Sequence, residues 1–532
     1  MTHPTLIRMA VVAALLSPMA ALTAAPSKQG CKTTAECNAL AAKIGTSAGI
    51  PSGPPTSEND RQEDQFYWLN KINKASIVML QEEGIITKDT ALTLAKGVDH
   101  TIRQADAEGG KRPSDVLQIE GIISEAIGPD ASLVHTGRSR QDMYATFRMA
   151  QLRNQMLDYF EVLTVLRANL QQLASEHVDT VMPAYTNGVQ AMPISLAHYL
   201  LAYDASFERD AQRMAGLYTR MNLSAMGTAV LANSSWPLNR ERLAELLGFD
   251  GVIENSLDAG QVSPSDVSLE AMAILNSGAI RLGAFMNDVH TQYHQTRPWM
   301  LLDESATYSS SAMPQKRNPG LIMRAREAAS NVVGLTHTVT IRAHNVSTGM
   351  TDYKNPWAEL GVVAHAVNMI RNTNRVLVAL KVDPERSLEE LEDDWTTSME
   401  LAEVLQKDHA IPFRVGHSFA SLVVSRARAD GLRPRDFSYN VAAELYKKAL
   451  ANYDLPVSDL PISEQRFRDV LSARKMVETR LGTGGPQPAE VERMLKKSQN
   501  ELAQSQAWLE ERREGLANAD KMLSDAFDRL LP

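Results

Sequence analysis

Three stretches decide what this chain can fold into. Residues 143–177, 193–222 and 265–295 are long, amphipathic and contain few Pro or Gly. Apolar side chains recur in them at helical spacing, so each predicts a helix with one face to bury. Long uncapped helices of this kind pack side by side, and the expected architecture is all-α around a long central helix bundle. No strand-like alternation persists elsewhere, and the residues after Lys316 return to helical periodicity. Aromatics are only 6% of the chain while Ala, Leu and Met are abundant, a mix that suits helices better than sheets.

The two ends differ from this middle. Arg8 precedes a small apolar run, Met9 to Leu22, followed by Thr23, Ala24 and Ala25. The run has the length of a signal-peptide core and is short for a membrane span. Residues 1–25 are therefore expected to be a signal peptide, and the mature protein periplasmic or secreted, with no membrane association after cleavage. The only cysteines, Cys31 and Cys37, follow at once, and in an exported protein they are expected to close a small disulfide loop. Residues 46–58, rich in Pro, Gly and Ser, read as a linker. At the other end, Leu495, Leu502, Leu509, Leu516, Leu523 and Leu530 recur every seventh residue. Ser498, Ser505 and Arg512 interrupt the companion seam. The pattern predicts a long helix lying along the body or a helical hairpin rather than a two-stranded zipper.

With 532 residues the chain is too long for one simple core. The expected division is a leader and linker at 26–58, an N-terminal helical domain at 59–140, a central helix-bundle domain at 141–390 and a C-terminal helical domain at 391–532. The net charge of −9, from 54 basic and 63 acidic residues, argues against a general nucleic-acid surface. No His/Cys cluster, P-loop or dinucleotide fingerprint occurs, so no metal and no organic cofactor are expected.

The most unusual local sequence is Ser309-Ser310-Ser311-Ala312-Met313-Pro314-Gln315-Lys316-Arg317-Asn318-Pro319. It reads as a mobile loop leading into a helix near Pro319. Two cations and a helix N-terminus favour an anion there. Taken alone, the loop allows anion binding, phosphorylation or catalysis. Elsewhere, His135-Thr136-Gly137-Arg138-Ser139-Arg140-Gln141-Asp142 reads as a polar, Gly-containing loop.

Both segments resemble known lyases. The first is similar to the aspartase/fumarase superfamily signature Gly-Ser-Ser-x-Met-Pro-x-Lys-x-Asn-Pro, departing only at its leading Gly, which is Ser309. The second resembles the His-Thr-Gly-Arg-Ser-Arg-Asn-Asp stretch of argininosuccinate lyases, departing only at Gln141. Tyr185-Thr186 with Gln190-Ala191-Met192-Pro193-Ile194, Asn255-Ser256-Leu257-Asp258, and Val477-Glu478 leading to Gly484-Gly485 fall where that branch has similar runs. The likeness covers about residues 60 to 500.

The resemblance implies the three-domain lyase fold, a homotetramer with sites built from several subunits, and a small dicarboxylate-containing substrate. It also implies a β-elimination that releases fumarate from a substituted succinate. Ser310 matches the catalytic base, a poor base unless its setting favours the alkoxide. Lys316 and Asn318 match the residues that hold the aci-carboxylate formed when a proton leaves carbon. Arg138, Ser139, Gln141, Thr186, Asn187 and Lys354 fall at substrate-binding positions.

Three departures stand out. The family has His where this chain has Asn187, and the His is paired with a Glu where this chain has Met323; an amide cannot take over proton transfer near pH 7. The stretch that contacts the amine half of argininosuccinate corresponds to residues 352–360, in which Lys354 is kept but a Gln and a second Lys are replaced by Trp357 and Leu360. The expected function is a carbon–nitrogen lyase acting on an N-substituted aspartate other than argininosuccinate. The alternative is a catalytically inactive ligand-binding or structural homologue on the same scaffold.

Overall fold

The computed structural model describes residues 63–350 and 356–532. The expected signal peptide at residues 1–25, Cys31, Cys37, the 46–58 stretch and Lys354 lie outside the described residues. The chain divides into two compact units. Among the described residues, Leu302–Gly320 form one, and the remainder forms the body.

The body opens with three helices, α1 (Gln65–Glu82), α2 (Lys88–Asp106) and α3 (Val116–Ile127). Asp64, Thr87 and Asp115 cap them by accepting amide N–H bonds in their first turns. The three predicted long runs are helices: α4 (Arg140–Glu176), α5 (Leu196–Met221), then, after the short α6 (Arg240–Leu246), α7 (Ser263–Thr291). With α8 (Gly320–Ala343) and α9 (Pro356–Ala379) they give the chain its long-helix bundle. Within the body, α4 packs along α5 and α9, and α7 against both of those. The C-terminal region adds α10 (Pro384–Glu392), α11 (Ser398–His409), α12 (Phe413–Asp430), α13 (Tyr439–Ala451), α14 (Glu464–Val470), α15 (Ala473–Glu478) and α16 (Pro488–Asp528). Residues of α11–α14 bury a separate apolar core around Phe419, Tyr446 and Phe467.

The heptad-spaced tail is the single helix α16, of 41 residues, which lies along α4 and α5. Its two serine interruptions are buried where the body is polar. Gln171 Nε2 on α4 donates to Ser498 Oγ at 3.2 Å, Arg167 reaches Ser505, and Ser498 donates to Asp204 on α5. Arg167 and Asp204 are themselves fully buried and paired. The last turns of α16 put Leu523 and Phe527 into the N-terminal core, and Lys71 on α1 pairs with Asp520.

Strands exist but are short: β1 (Val181–Thr186), β2 (Val189–Ser195), β3 (Leu223–Ser224), β4 (Gly251–Val252), β5 (Met300–Leu302), β6 (Tyr308–Ser309), β7 (Arg317–Asn318) and β8 (Leu380–Val382). The β1–β2 hairpin departs from the expectation of no strands. Asn187 and Gly188 turn it with φ of 52° and 77°, the two positive φ values a type I′ turn requires. No helix of the described residues is long and apolar enough to cross a membrane, and no group of three His, Cys, Asp or Glu among them could hold a metal.

Candidate active site

The Ser310 loop is the tip of the small unit. β6 and β7 pair antiparallel, with Tyr308 opposite Asn318 and Ser309 opposite Arg317, and residues 310–316 bridge them. Ser310 Oγ accepts the backbone N–H groups of Met313 at 3.1 Å and Ala312 at 3.3 Å. Donors aimed at an oxygen favour its anionic form, so this turn lowers the cost of a serine alkoxide. Lys316 N–H donates to the Met313 carbonyl at 3.0 Å, which closes the turn and leaves the ammonium exposed. Asn318 Nδ2 donates to the Tyr308 carbonyl at 3.2 Å and fastens the hairpin, leaving its other N–H and its carbonyl. Arg317 folds back onto the Pro314 carbonyl at 3.0 Å. Gly320, the first residue of α8, lies where a Cβ would stand 3.1 Å from the Tyr308 ring. The helix thus starts one residue after the proline, as the loop's punctuation predicts.

In the body, the polar segment after His135 is not all loop. α4 already begins at Arg140, and Ser139 is its N-cap in a complete capping box. Ser139 Oγ accepts the Gln141 N–H at 3.0 Å, and the Ser139 N–H donates to Asp142 at 2.8 Å. Arg138 is buried and turned inward, donating to Ser76 Oγ at 2.8 Å and Asn73 Oδ1 at 2.5 Å on α1. Burial pushes its guanidinium down to about 10, against the pull of Asp142 and Glu120. Gln141 Nε2 donates to the Gly260 carbonyl at 2.9 Å, tying the start of α4 to a π-helical turn at Asp258–Val262. Asn73, Ser76, Asp142 and Gly260 were not singled out from sequence. Only Asp142 carries a readable signal, the Ser-x-x-Asp spacing of a capping box.

Thr186 is exposed at the end of β1, and Asn187 forms the turn beyond it. Tyr185 beside them is half-exposed. Met323, the fourth residue of α8, is 48% exposed. Thr186 and Asn187 are not brought to Ser139. α4 has 37 residues, so its ends lie roughly 55 Å apart at 1.5 Å per residue. Ser139 caps the first end and the hairpin follows the second.

This arrangement defines a class, the fumarase-like lyases built on a long helix bundle. A lyase family model matches residues 88–334. The fold matches EDDS lyase crystallised with formate at a TM-score of 0.79 and 27% identity, over 91% of this chain and 97% of that one. It also matches a fumarate lyase from Mesorhizobium sp. BNC1 at a TM-score of 0.63 and 18% identity, over 83% of this chain and 100% of that one. Among curated proteins, the chain is 29% identical to argininosuccinate lyase 1 of Shouchella clausii over 478 residues, 88% of this chain and 94% of that protein. It is 31% identical to argininosuccinate lyase of Methanocaldococcus jannaschii over 428 residues, 79% of this chain and 85% of that protein. The chain belongs to the argininosuccinate lyase branch of the aspartase/fumarase superfamily.

Proposed function

We propose that the protein is a carbon–nitrogen lyase of the argininosuccinate lyase type that releases fumarate from an N-substituted aspartate other than argininosuccinate. The observation that carries this reading is the Ser310 turn, in which one hydroxyl oxygen collects two main-chain N–H groups within a loop that also bears Lys316 and Asn318. In the elimination, the Ser310 alkoxide takes the proton from the carbon beside the succinyl carboxylate. The electron pair left on that carbon is held as an aci-carboxylate by Lys316 and the free amide N–H of Asn318. Collapse forms the C=C bond of fumarate and breaks the C–N bond, the nitrogen takes a proton from water and leaves as the amine, and Ser310 returns its proton to solvent. Ser139, Gln141 and Thr186 hold the carboxylates, with Arg138 behind them. Trp357 and Leu360, in place of a Gln and a Lys, support an amine half less polar than arginine. EDDS lyase, on the same fold, is named for a substrate other than argininosuccinate.

The working form is proposed to be a homotetramer. The separation of Ser139 from Thr186 along α4 supports a site that draws on more than one chain. Exposed apolar side chains on the bundle helices, Ile280, Ile341 and Val378, suit further helix contacts. Export to the periplasm or beyond rests on the Arg8–Ala25 leader, and the Cys31–Cys37 loop on that location.

The test is fumarate release by the mature protein from a panel of N-substituted aspartates, argininosuccinate included, with Ser310→Ala as control. Fumarate from one member, absent with the Ala variant, supports the reading and identifies the amine. Comparable turnover of argininosuccinate and the others removes the substrate assignment. No fumarate from any member, together with no addition of amines to fumarate, leaves a binding protein on a lyase scaffold.

A further inference from the structure

Asp142 is fully buried in the first turn of α4, and its carboxylate serves main-chain donors from two separate segments. Oδ1 accepts the N–H of Ser139 at 2.8 Å and of Met143 at 3.1 Å. Oδ2 accepts the N–H of Gly227 at 3.1 Å and of Ala229 at 3.0 Å. The second pair belongs to a tight turn after β3 that has positive φ at Gly227 (84°), Ala229 (52°) and Asn233 (59°). An alanine held at positive φ is strained, so something must hold it there. Asp142 grips its N–H from one side. From the other, Arg240 donates to the Met226 carbonyl at 3.2 Å and the Ile253 carbonyl at 2.8 Å.

The same assembly reaches a third segment. Gln141, next to Asp142, binds the Gly260 carbonyl in the π-helical turn, and a Cβ on Gly260 would stand 3.5 Å from the Val230 carbonyl. π-helical turns recur at functional sites. Three stretches of backbone therefore converge behind Ser139 and Gln141, and Asp142 is the side chain that joins two of them directly.

We propose that Asp142 is a positioning residue for the succinyl carboxylates. It locks the Ser139–Gln141 turn against the 225–233 turn, so that the donors for the carboxylates are fixed before substrate arrives. This rests on the reading of the 138–141 segment as the carboxylate site. An amide cannot replace the carboxylate. In Asp142→Asn one of the two acceptor oxygens becomes an NH₂ facing main-chain N–H groups, and one half of the clamp must open.

The experiment compares wild type, Asp142→Asn and Gly227→Ala as full mature chains. Gly227→Ala strains the turn from the opposite side, since a Cβ there would meet Arg240 Cγ at 2.9 Å on a backbone with positive φ. Fumarate affinity by calorimetry, KM and kcat are measured beside the thermal midpoint. Both variants are expected to weaken fumarate binding and raise KM by about tenfold, while kcat at saturation falls by less than about threefold. Asp142→Asn combined with Ala229→Gly should recover part of the lost affinity, because glycine adopts the positive φ unaided. Should Asp142→Asn fail to fold, Gly227→Ala decides alone. Fumarate affinity within about twofold of wild type in the folded variants overturns the proposal. A wild type that neither binds nor forms fumarate removes the reading of the whole site, and this inference with it.

Discussion

The Ser310 hairpin and the Arg138–Asp142 segment are built in opposite ways. From Ser311 to Arg317 every side chain of the hairpin is exposed, and the hydrogen bonds of Ser310, Arg317 and Asn318 close within the loop itself. Arg138 and Asp142 are buried, and their partners come from α1 and from a turn 85 residues further along. A hairpin whose side-chain bonds at Ser310, Arg317 and Asn318 close on itself can present reactive groups and be changed without unfolding the protein. A segment woven into the core holds its donors rigidly, at the risk that any change registers as lost stability. If the hairpin carries the chemistry and the segment the substrate grip, as proposed, the two tasks are separated by how much of the fold each depends on.

The largest expected effect tests the first half of that contrast. Ser310→Ala should lower kcat by on the order of a thousandfold or more, and Lys316→Met by about a hundredfold to a thousandfold. The thermal midpoints of both should stay at the wild-type value by calorimetry. A large drop in midpoint would show that the hairpin is structural after all.

Arg138→Leu should do the reverse. Two buried hydrogen bonds to a charged group are lost, and Asn73 and Ser76 keep unpaired polar atoms, at a cost of about 3 kcal/mol in urea unfolding. A stable Arg138→Leu protein with weak fumarate binding would instead make Arg138 a ligand contact first.

Asp142 adds a pH signature. Burial raises its carboxyl from 3.8 to about 6, against the opposing pull of the Ser139, Gly227 and Ala229 N–H groups and of Arg138. Arg240, packed on the same turn, is the other cation in its field. A folded-state pKa above the unfolded one means that the folded protein holds the proton more tightly. The associated stability is present below about pH 4 and is lost as pH rises through about 6. Relative to Asp142→Asn, the wild type should therefore lose at most about 3 kcal/mol between pH 4 and pH 7. Parallel stability curves for the two proteins would place the carboxyl in a more polar setting than the fold gives it.

What could be read from sequence follows the same division. The Ser310 loop was legible because its chemistry is local: serines, cations, an asparagine and two prolines in one short run. The long helices were legible because a buried face imposes its period on every turn. The Ser-x-x-Asp capping box was also written there, at Ser139 and Asp142, and only its second role was hidden. No local pattern announces that Asp142 will meet Gly227 and Ala229. Ser498 and Ser505 looked like defects in a seam, since the polar surface they match, Arg167, Gln171 and Asp204, lies about three hundred residues away and becomes visible only when α16 is laid on α4 and α5. The Asn187-Gly188 turn was plain in the letters as a hairpin signal. In the resemblance the same position stands for a lost histidine.

That double meaning gives the smallest effect and a discriminating one. Asn187 sits at φ 52°, a conformation asparagine tolerates better than most side chains. Asn187→Ala should destabilise the hairpin by about 1 kcal/mol, and Asn187→Gly should be close to neutral. If the turn is the whole role of Asn187, fumarate release by the Gly variant stays within about twofold of wild type. If the amide helps the amine depart, both variants lose kcat alike whatever their stability. Asn187→His with Met323→Glu rebuilds the family's pair of residue types at these positions. Met323 is exposed, so the double variant should fold normally. A gain in kcat from it would mean that proton delivery to the leaving amine limits this enzyme. No gain would mean that the site on this scaffold has found its proton elsewhere, and that losing the histidine freed the position for the turn.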